Sequence, residues 1–201
     1  MKILVGTNNP HKVAEIKAIF SQILDREVEL LTPKDLNLID TNIEETGATL
    51  EENARIKAAE FHRMCGLPAF ADDTGLEIDA LEGRPGVLSA RFAGPESDDA
   101  RNREKTLRLM QGLRREERTA RFRTVFCYID KDEINYVDGE CPGIITFEER
   151  GDQGFGYDPI FMPEGEERTF AEMSADEKNR ISHRFRAAEK LAIFLKENII
   201  K

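Results

Sequence analysis

The sequence predicts an α/β fold built on a mixed central β-sheet flanked by helices. Three observations carry that reading. The chain opens with strand, polar loop and helix; hairpin-like alternation fills its middle; and a helical pattern occupies its end.

Taken in order, Ile3-Leu4-Val5 is a short apolar strand and Gly6-Thr7-Asn8-Asn9 a polar loop. Pro10 suits the first helical position, where no amide donor is needed. Val13, Ile16, Phe20 and Ile23 or Leu24 then recur at helical spacing. A second short strand is expected over 28–31. Thr49 and Glu52 form a capping-box pattern before a helix that runs to about Cys65, and Gly66 is its stop signal. The apolar run 67–71 ends on Asp72-Asp73, which puts both acids at a strand end, and two together there need a reason because aspartate is depleted in strands; a cap by one of them, with Thr74, on the 75–81 segment would be one.

A helix is expected over 98–111, with Ser97 as N-cap and Leu107, Met110 and Leu113 facing inward. Over 120–129, Phe122, Thr124, Phe126 and Tyr128 alternate with Arg121, Arg123, Val125 and Cys127, and Lys131-Asp132 turns the chain into 134–137. A further strand is expected over 143–146. Ser174-Ala175-Asp176-Glu177 is a second capping box, and the helix it starts carries Lys178. Residues 182–199 read as a helix with Phe185, Ala188, Leu191 or Ala192, and Leu195 on one face.

A chain of 201 residues can bury a substantial core, as one large α/β domain or two closely joined lobes. No repeat or linker divides it, so residues 1–201 are expected to form a single domain. The net charge of −10 argues against a sequence-independent grip on nucleic acid. It leaves room for a small anion, because a few local lysines, backbone amides and a metal outweigh the overall field. Cys65, Cys127 and Cys141 are too widely spaced for a zinc knuckle or disulfide framework, and free thiols are expected. No signal peptide or membrane span is legible, which makes the cytoplasm the default.

Two segments carry the chemistry. Asp72 and Asp73 suit Mg²⁺, which takes oxygen ligands and shares them with substrate phosphates. Asp73 is the better candidate for the metal and the reacting water, and Glu44, in the loop ahead of the helix leading to it, is a reasonable second ligand. Gly154-Phe155-Gly156-Tyr157-Asp158-Pro159 is a glycine-hinged aromatic segment. A flat ring there suits a planar base, and Asp158 can accept N–H groups from a purine edge; a glycine-rich turn with two rings in the core is the common structural use of such a segment.

Thr7, Asn8, Asn9 and Lys12 sit where strand hands over to helix, so unpaired amides and the helix dipole favour phosphate. An asparagine-capped turn with a solvated lysine accounts for them equally well. The segment lacks the glycines and the lysine-hydroxyl pair of a P-loop. His183 and Arg184 are neighbouring donors, which suit an oxo group better than an amino group and would distinguish a 6-oxo purine from adenine.

In order, Thr7-Asn8-Asn9-Pro10-His11-Lys12, Glu44-Glu45-Thr46-Gly47, Ala71-Asp72-Asp73-Thr74-Gly75-Leu76, Gly83-Arg84-Pro85-Gly86, Ser89-Ala90-Arg91, Gly154 to Pro159 and Ser182-His183-Arg184 closely resemble the motifs of the inosine triphosphate pyrophosphatase family. The resemblance covers nearly the whole chain. It implies a homodimeric, Mg²⁺-dependent enzyme that clears inosine, deoxyinosine and xanthosine triphosphates from the nucleotide pool. It also implies a long mixed sheet with helices forming two lobes and the active site in the cleft between them.

Carried over by residue, the resemblance has Thr7, Asn8, Asn9, Pro10, His11 and Lys12 hold the triphosphate. Glu44 and Asp73 bind Mg²⁺, Asp73 also accepts the proton, and Thr74 touches substrate. Phe155, Gly156, Tyr157, Asp158, Lys178, His183 and Arg184 form the nucleoside and base pocket. Asn8 stands where many relatives have glycine. The expected reaction is attack of water on the α-phosphorus, releasing pyrophosphate. A nucleotide sensor without turnover would need a defective metal site, which Glu44, Asp72 and Asp73 argue against. A pyrimidine or methylated-nucleotide hydrolase is disfavoured by Ser182-His183-Arg184, and membrane or nucleic-acid partners are not expected.

Overall fold

The computed structural model describes residues 1–24, 28–38, 43–131 and 133–199. The elements run β1 (Lys2–Val5), α1 (Pro10–Ile23), β2 (Glu29–Leu31), α2 (Leu50–Cys65), β3 (Ala69–Ile78), β4 (Pro85–Gly86), α3 (Asp99–Leu109), β5 (Thr119–Asp130), β6 (Glu133–Ile145), β7 (Phe161–Pro163), α4 (Ala175–Ile181) and α5 (His183–Asn198), with short 3₁₀ turns between them. The sheet is mixed, in the order β2-β1-β3-β5-β6-β7, with β4 beside β3. β1 pairs in parallel with β2 and β3, whereas β4 on β3 and β7 on β6 are antiparallel. The predicted fold class holds.

The chain folds as two compact units. Unit 1 comprises Met1–Asp73, Thr124–Gly139 and Arg184–Lys201; unit 2 comprises Thr74–Arg123 and Glu140–His183. Each has its own core. In unit 1, Ile3 and Val5 of β1, Ile16, Ile19 and Phe20 of α1, Phe70 of β3 and Phe126 of β5 pack with Ala187, Ala188, Leu191, Ala192 and Leu195 of α5. In unit 2, Leu76, Ile78, Met110, Phe122, Ile145, Phe161 and Phe170 form the corresponding cluster.

Most helix limits follow local chemistry. Asn9 caps α1, its side-chain oxygen accepting from the amides of His11 and Lys12, with Pro10 in the first turn. Thr49 caps α2, and Gly66 ends it in the left-handed region at φ 66°. The Glu52 carboxylate takes the amide of Ala48 rather than that of Thr49, so the capping box is only half formed. Asp98, not Ser97, caps α3, and Ser97 instead adopts a left-handed φ of 52°.

Two strands differ from expectation. Asp72 and Asp73 do not end β3 but lie in the middle of a ten-residue strand, extended by pairing of Leu76 and Glu77 with Gly86 and Pro85 of β4. The stretches expected at 134–137 and 143–146 are one strand, β6. Of the expected Lys131-Asp132 turn, Lys131 takes a left-handed φ of 53° and Asp132 lies outside the described residues. Cys127 and Cys141 are buried free thiols, and burial pushes the Cys127 thiol up to about 11; Cys65 is half-buried.

The capping box of α4 sets one pH response. Glu177 accepts from the amide and hydroxyl of Ser174 at 2.9 and 2.8 Å and from Arg168 at 3.0 Å. The Ser174 amide, then Arg168 and the Ser174 hydroxyl, hold its carboxyl down at about 2 against an ordinary 4.5. A carboxyl lowered on folding contributes stability above its unfolded value and loses it as the pH falls toward the folded one. Glu177→Gln is therefore expected to flatten acid unfolding between about pH 4.5 and 2. An unchanged acid limb in circular dichroism would sink that assignment.

Candidate functional site

In unit 1, sequence-distant charges converge on the middle of β3. The Lys12 ammonium, one turn into α1, lies 2.7 Å from Asp72 Oδ2. The Arg184 guanidinium, at the start of α5, pairs with Glu15 and has Nε 3.8 Å from the same Asp72 oxygen. The next residue along the strand turns the other way, as alternate strand residues must. Asp73 Oδ1 meets the Lys57 ammonium at 2.9 Å, and Lys57 also holds Glu45 at 2.8 Å. Asn53, fully buried, donates to Asp73 Oδ2 at 3.3 Å while its carbonyl accepts the amide of Gly47 at 2.8 Å. That amide contact ties the 44–47 loop to β3.

The two aspartates are therefore tuned in opposite directions. Burial alone would raise Asp72, but Lys12, Arg184 and Lys57 outweigh it and hold the carboxyl well below the usual range. Asp73 keeps a raised pKa, because its burial exceeds what Lys57 offsets. A raised carboxyl is the better proton acceptor of the pair. Burial pulls Lys12 below the ordinary ammonium value, whereas Lys57 is raised because Asp73, Asp72 and Glu45 outweigh its burial.

Asn53 and Lys57 escaped the sequence reading. They are four residues apart on α2, and they interrupt the buried stripe of Leu50, Ala54, Ala58 and Phe61. Polar groups inside an apolar helical stripe are the signal that could have found them. Glu44 is exposed and forms no ion pair among the described residues; its neighbour Glu45 takes the contact with Lys57. In the loop before α1, Thr7 Oγ1 accepts the amide of Asn9 at 3.2 Å, and Asn8, Pro10 and His11 are exposed. With its oxygen engaged in the cap, Asn9 presents its amide nitrogen as the remaining donor.

In unit 2, the segment Gly154 to Asp158 is a braced loop. Asp158 Oδ2 accepts the amide of Phe155 at 2.8 Å and the Lys178 ammonium at 2.7 Å. Lys178, itself buried, stands 4.7 Å from the centre of the half-buried Phe155 ring. Tyr157 is buried and donates its hydroxyl to the carbonyl of Ser89 at 2.8 Å, so of the two rings only Phe155 remains partly open to solvent. His183 is buried and stacks on Phe122, with ring centres 4.6 Å apart. Thr74 is half-buried on β3. His183 and Arg184, neighbours in sequence, thus join different groups: His183 the aromatic cluster of unit 2, Arg184 the charge cluster of unit 1.

Gly154 has a φ of 76°, and a Cβ there would overlap Asp158 Oδ2. Gly154→Ala is expected to lower stability by about 2 kcal/mol or more from backbone strain and the displaced carboxylate. A urea midpoint matching the parent would show that the loop accommodates a side chain.

Among the described residues no group of three or more His, Cys, Asp or Glu side chains comes together as a metal site. Around β3 stand four carboxylates, Glu15, Glu45, Asp72 and Asp73, against the three cationic groups of Lys12, Lys57 and Arg184. A polyphosphate would add further negative charge to a group already short of positive charge.

Paired buried carboxylates with opposed tuning, beside a capped helix start on a mixed sheet, form a site suited to proton transfer on an anionic substrate. The profile of the Ham1 family matches residues 3–194, and the chain belongs to that family. It is 48% identical over 194 residues to a dITP/XTP pyrophosphatase of Elusimicrobium minutum, covering 96% of this chain and 98% of the relative. To the dITP/XTP pyrophosphatase of Bacillus subtilis it is 44% identical over 193 residues, 96% of each chain. Among solved structures it resembles the Ham1 protein of Staphylococcus aureus (36% identity, TM-score 0.86, 98% of each chain). It also resembles a Ham1 protein from Coxiella burnetii (38% identity, TM-score 0.89, 98% and 99% of the two chains). With this family comes the enzyme class, a hydrolase of nucleoside triphosphates.

Proposed function

We propose that the chain hydrolyses noncanonical purine nucleoside triphosphates (inosine, deoxyinosine and xanthosine triphosphates) to the monophosphate and pyrophosphate, with Mg²⁺, as a cytoplasmic homodimer. The observation that carries this reading is the pair of buried carboxylates on opposite faces of β3, Asp72 paired with Lys12 and held low, and Asp73 paired with Lys57 yet raised by its burial. Asp72 is the fixed anion that positions Lys12; Asp73 is the basic carboxylate that takes the proton of the attacking water. The water oxygen bonds to the α-phosphorus, the α–β bridging P–O bond breaks, and pyrophosphate leaves. Lys12 and Asn9, with the Thr7 to His11 loop, bind phosphate oxygens. Mg²⁺, held by Asp73 with Glu44 or Glu45, would supply charge neutralisation on the phosphates and a more acidic water.

The base is read in unit 2. Phe155 offers the flat face, Asp158 an acceptor, and Lys178 and His183 donors for an oxo group; Arg184 adds positive charge in unit 1. A site of donors at that position disfavours the amino group of adenine.

The test is hydrolysis of deoxyinosine, xanthosine, guanosine and adenosine triphosphates with and without Mg²⁺, with the phosphorus products identified. Pyrophosphate from the first two alone, and only with metal, is the expected result. Orthophosphate would move the attack to the γ-phosphorus and remove Asp73 from the proposed role. Tight binding without turnover would make the protein a sensor.

A further inference from the structure

The proposed base platform is held from a second side. The amide of Gly156 donates to Asp99 Oδ2 at 2.8 Å, and the carbonyl of Gly156 accepts from an Arg103 terminal nitrogen at 2.9 Å. Asp99 and Arg103 are one turn apart on the same face of α3. The Gly156 amide belongs to the peptide unit before that residue and its carbonyl to the unit after it. Holding both restrains the φ and ψ of Gly156, a left-handed glycine at a φ of 62° that would otherwise be a free joint of the loop. Arg103 is itself mostly buried, and its Nε lies 3.0 Å from Glu149 Oε2. The Asp158–Lys178 brace acts on Phe155 from one side of the glycine, and the α3 pair acts on the glycine itself.

We propose that Asp99 and Arg103 are positioning residues for the nucleobase: they set the plane of the Phe155 ring by pinning Gly156, without touching the substrate. This rests on the reading of Phe155 as the base platform. A loop held in its binding conformation gives up less entropy on binding, so losing the pins weakens ground-state and transition-state binding alike. The signature is a raised KM with kcat preserved.

The experiment compares Asp99→Ala, Asp99→Asn, Arg103→Met and Phe155→Ala in the full-length enzyme, measuring kcat and KM for deoxyinosine triphosphate. Asp99→Ala and Arg103→Met are each expected to raise KM about fivefold, the effect of one hydrogen bond, with kcat changed less than about twofold. Asp99→Asn keeps a carbonyl acceptor for the Gly156 amide and is expected to match the parent. If Asp99→Asn behaves like Asp99→Ala, the negative charge at the start of α3 is what matters, and the pinning role is overturned. If Phe155→Ala raises KM while the α3 variants do not, the platform stands and the pins fail. If Phe155→Ala leaves KM unchanged, the platform reading itself falls, and the inference with it.

Discussion

Asp73→Asn is expected to abolish nearly all turnover while leaving the protein as stable as before or more so. The loss of rate should be on the order of 10²–10⁴, the usual contribution of a positioned general base. The stability side follows from sign. A carboxyl whose pKa is raised on folding, as burial raises that of Asp73, contributes stability below its unfolded pKa and loses it as the pH rises through the folded value. Where it is ionised its charge is therefore a burden to the fold, and a neutral isostere relieves it. The Asn53 amide, and through it the 44–47 loop, keeps an acceptor in the side-chain oxygen that the substitution retains. Unfolding without added divalent cation, beside steady-state kinetics, checks both halves. Normal turnover would overturn the role of Asp73, and a large drop in melting temperature would mean that Lys57 depends on it more than burial opposes it.

Lys12→Met is expected to do the reverse and destabilise strongly. Asp72 is one of the most deeply buried charges in unit 1, with a side chain 1% exposed, and Lys12 is its direct partner at 2.7 Å. Removing one member of a buried pair leaves the other uncompensated, at about 3 kcal/mol. Arg184 at 3.8 Å relieves part of this, and its own pairing with Glu15 limits how much. Turnover should fall as well, since Lys12 is also the proposed phosphate-binding ammonium. The urea midpoint decides: a shift worth less than about 0.5 kcal/mol, the range of an ordinary surface substitution, would mean that Arg184 alone neutralises Asp72.

Much of this was legible in the chain, and the misses have physical causes. Helix starts and stops at Pro10, Thr49, Gly66 and Ser174 were readable because capping is local. The two aspartates were visible as candidates, but their place within β3 was not. Depletion of aspartate from strands assumes an unpaired acid, and here ammonium groups from α1 and α2 arrive from elsewhere in the sequence. β6 read as two strands because Asp138, Gly139 and Pro142 look like a turn. In the fold, Gly143 marks a close backbone approach, since a Cβ there would overlap the Met162 carbonyl of β7. Lys57 and Asn53 were missed because the helix was read from its Thr49 cap and Gly66 stop and not along its faces.

The order of chain segments in unit 1 also governs how the enzyme comes into being. Its core is closed by α5, which leaves the ribosome after every other element of the sheet and its helices, whereas unit 2 has all of its residues once His183 has emerged. A nascent chain therefore carries Ile3, Phe20, Phe70 and Phe126 without their cover until α5 is made. Asp72 waits equally long for Arg184. The charge set around Asp72 is completed only by the segment Arg184–Lys201, so a chain cut short before it presents a sticky apolar face, and a Glu15 lacking Arg184, to the quality-control machinery of the cell.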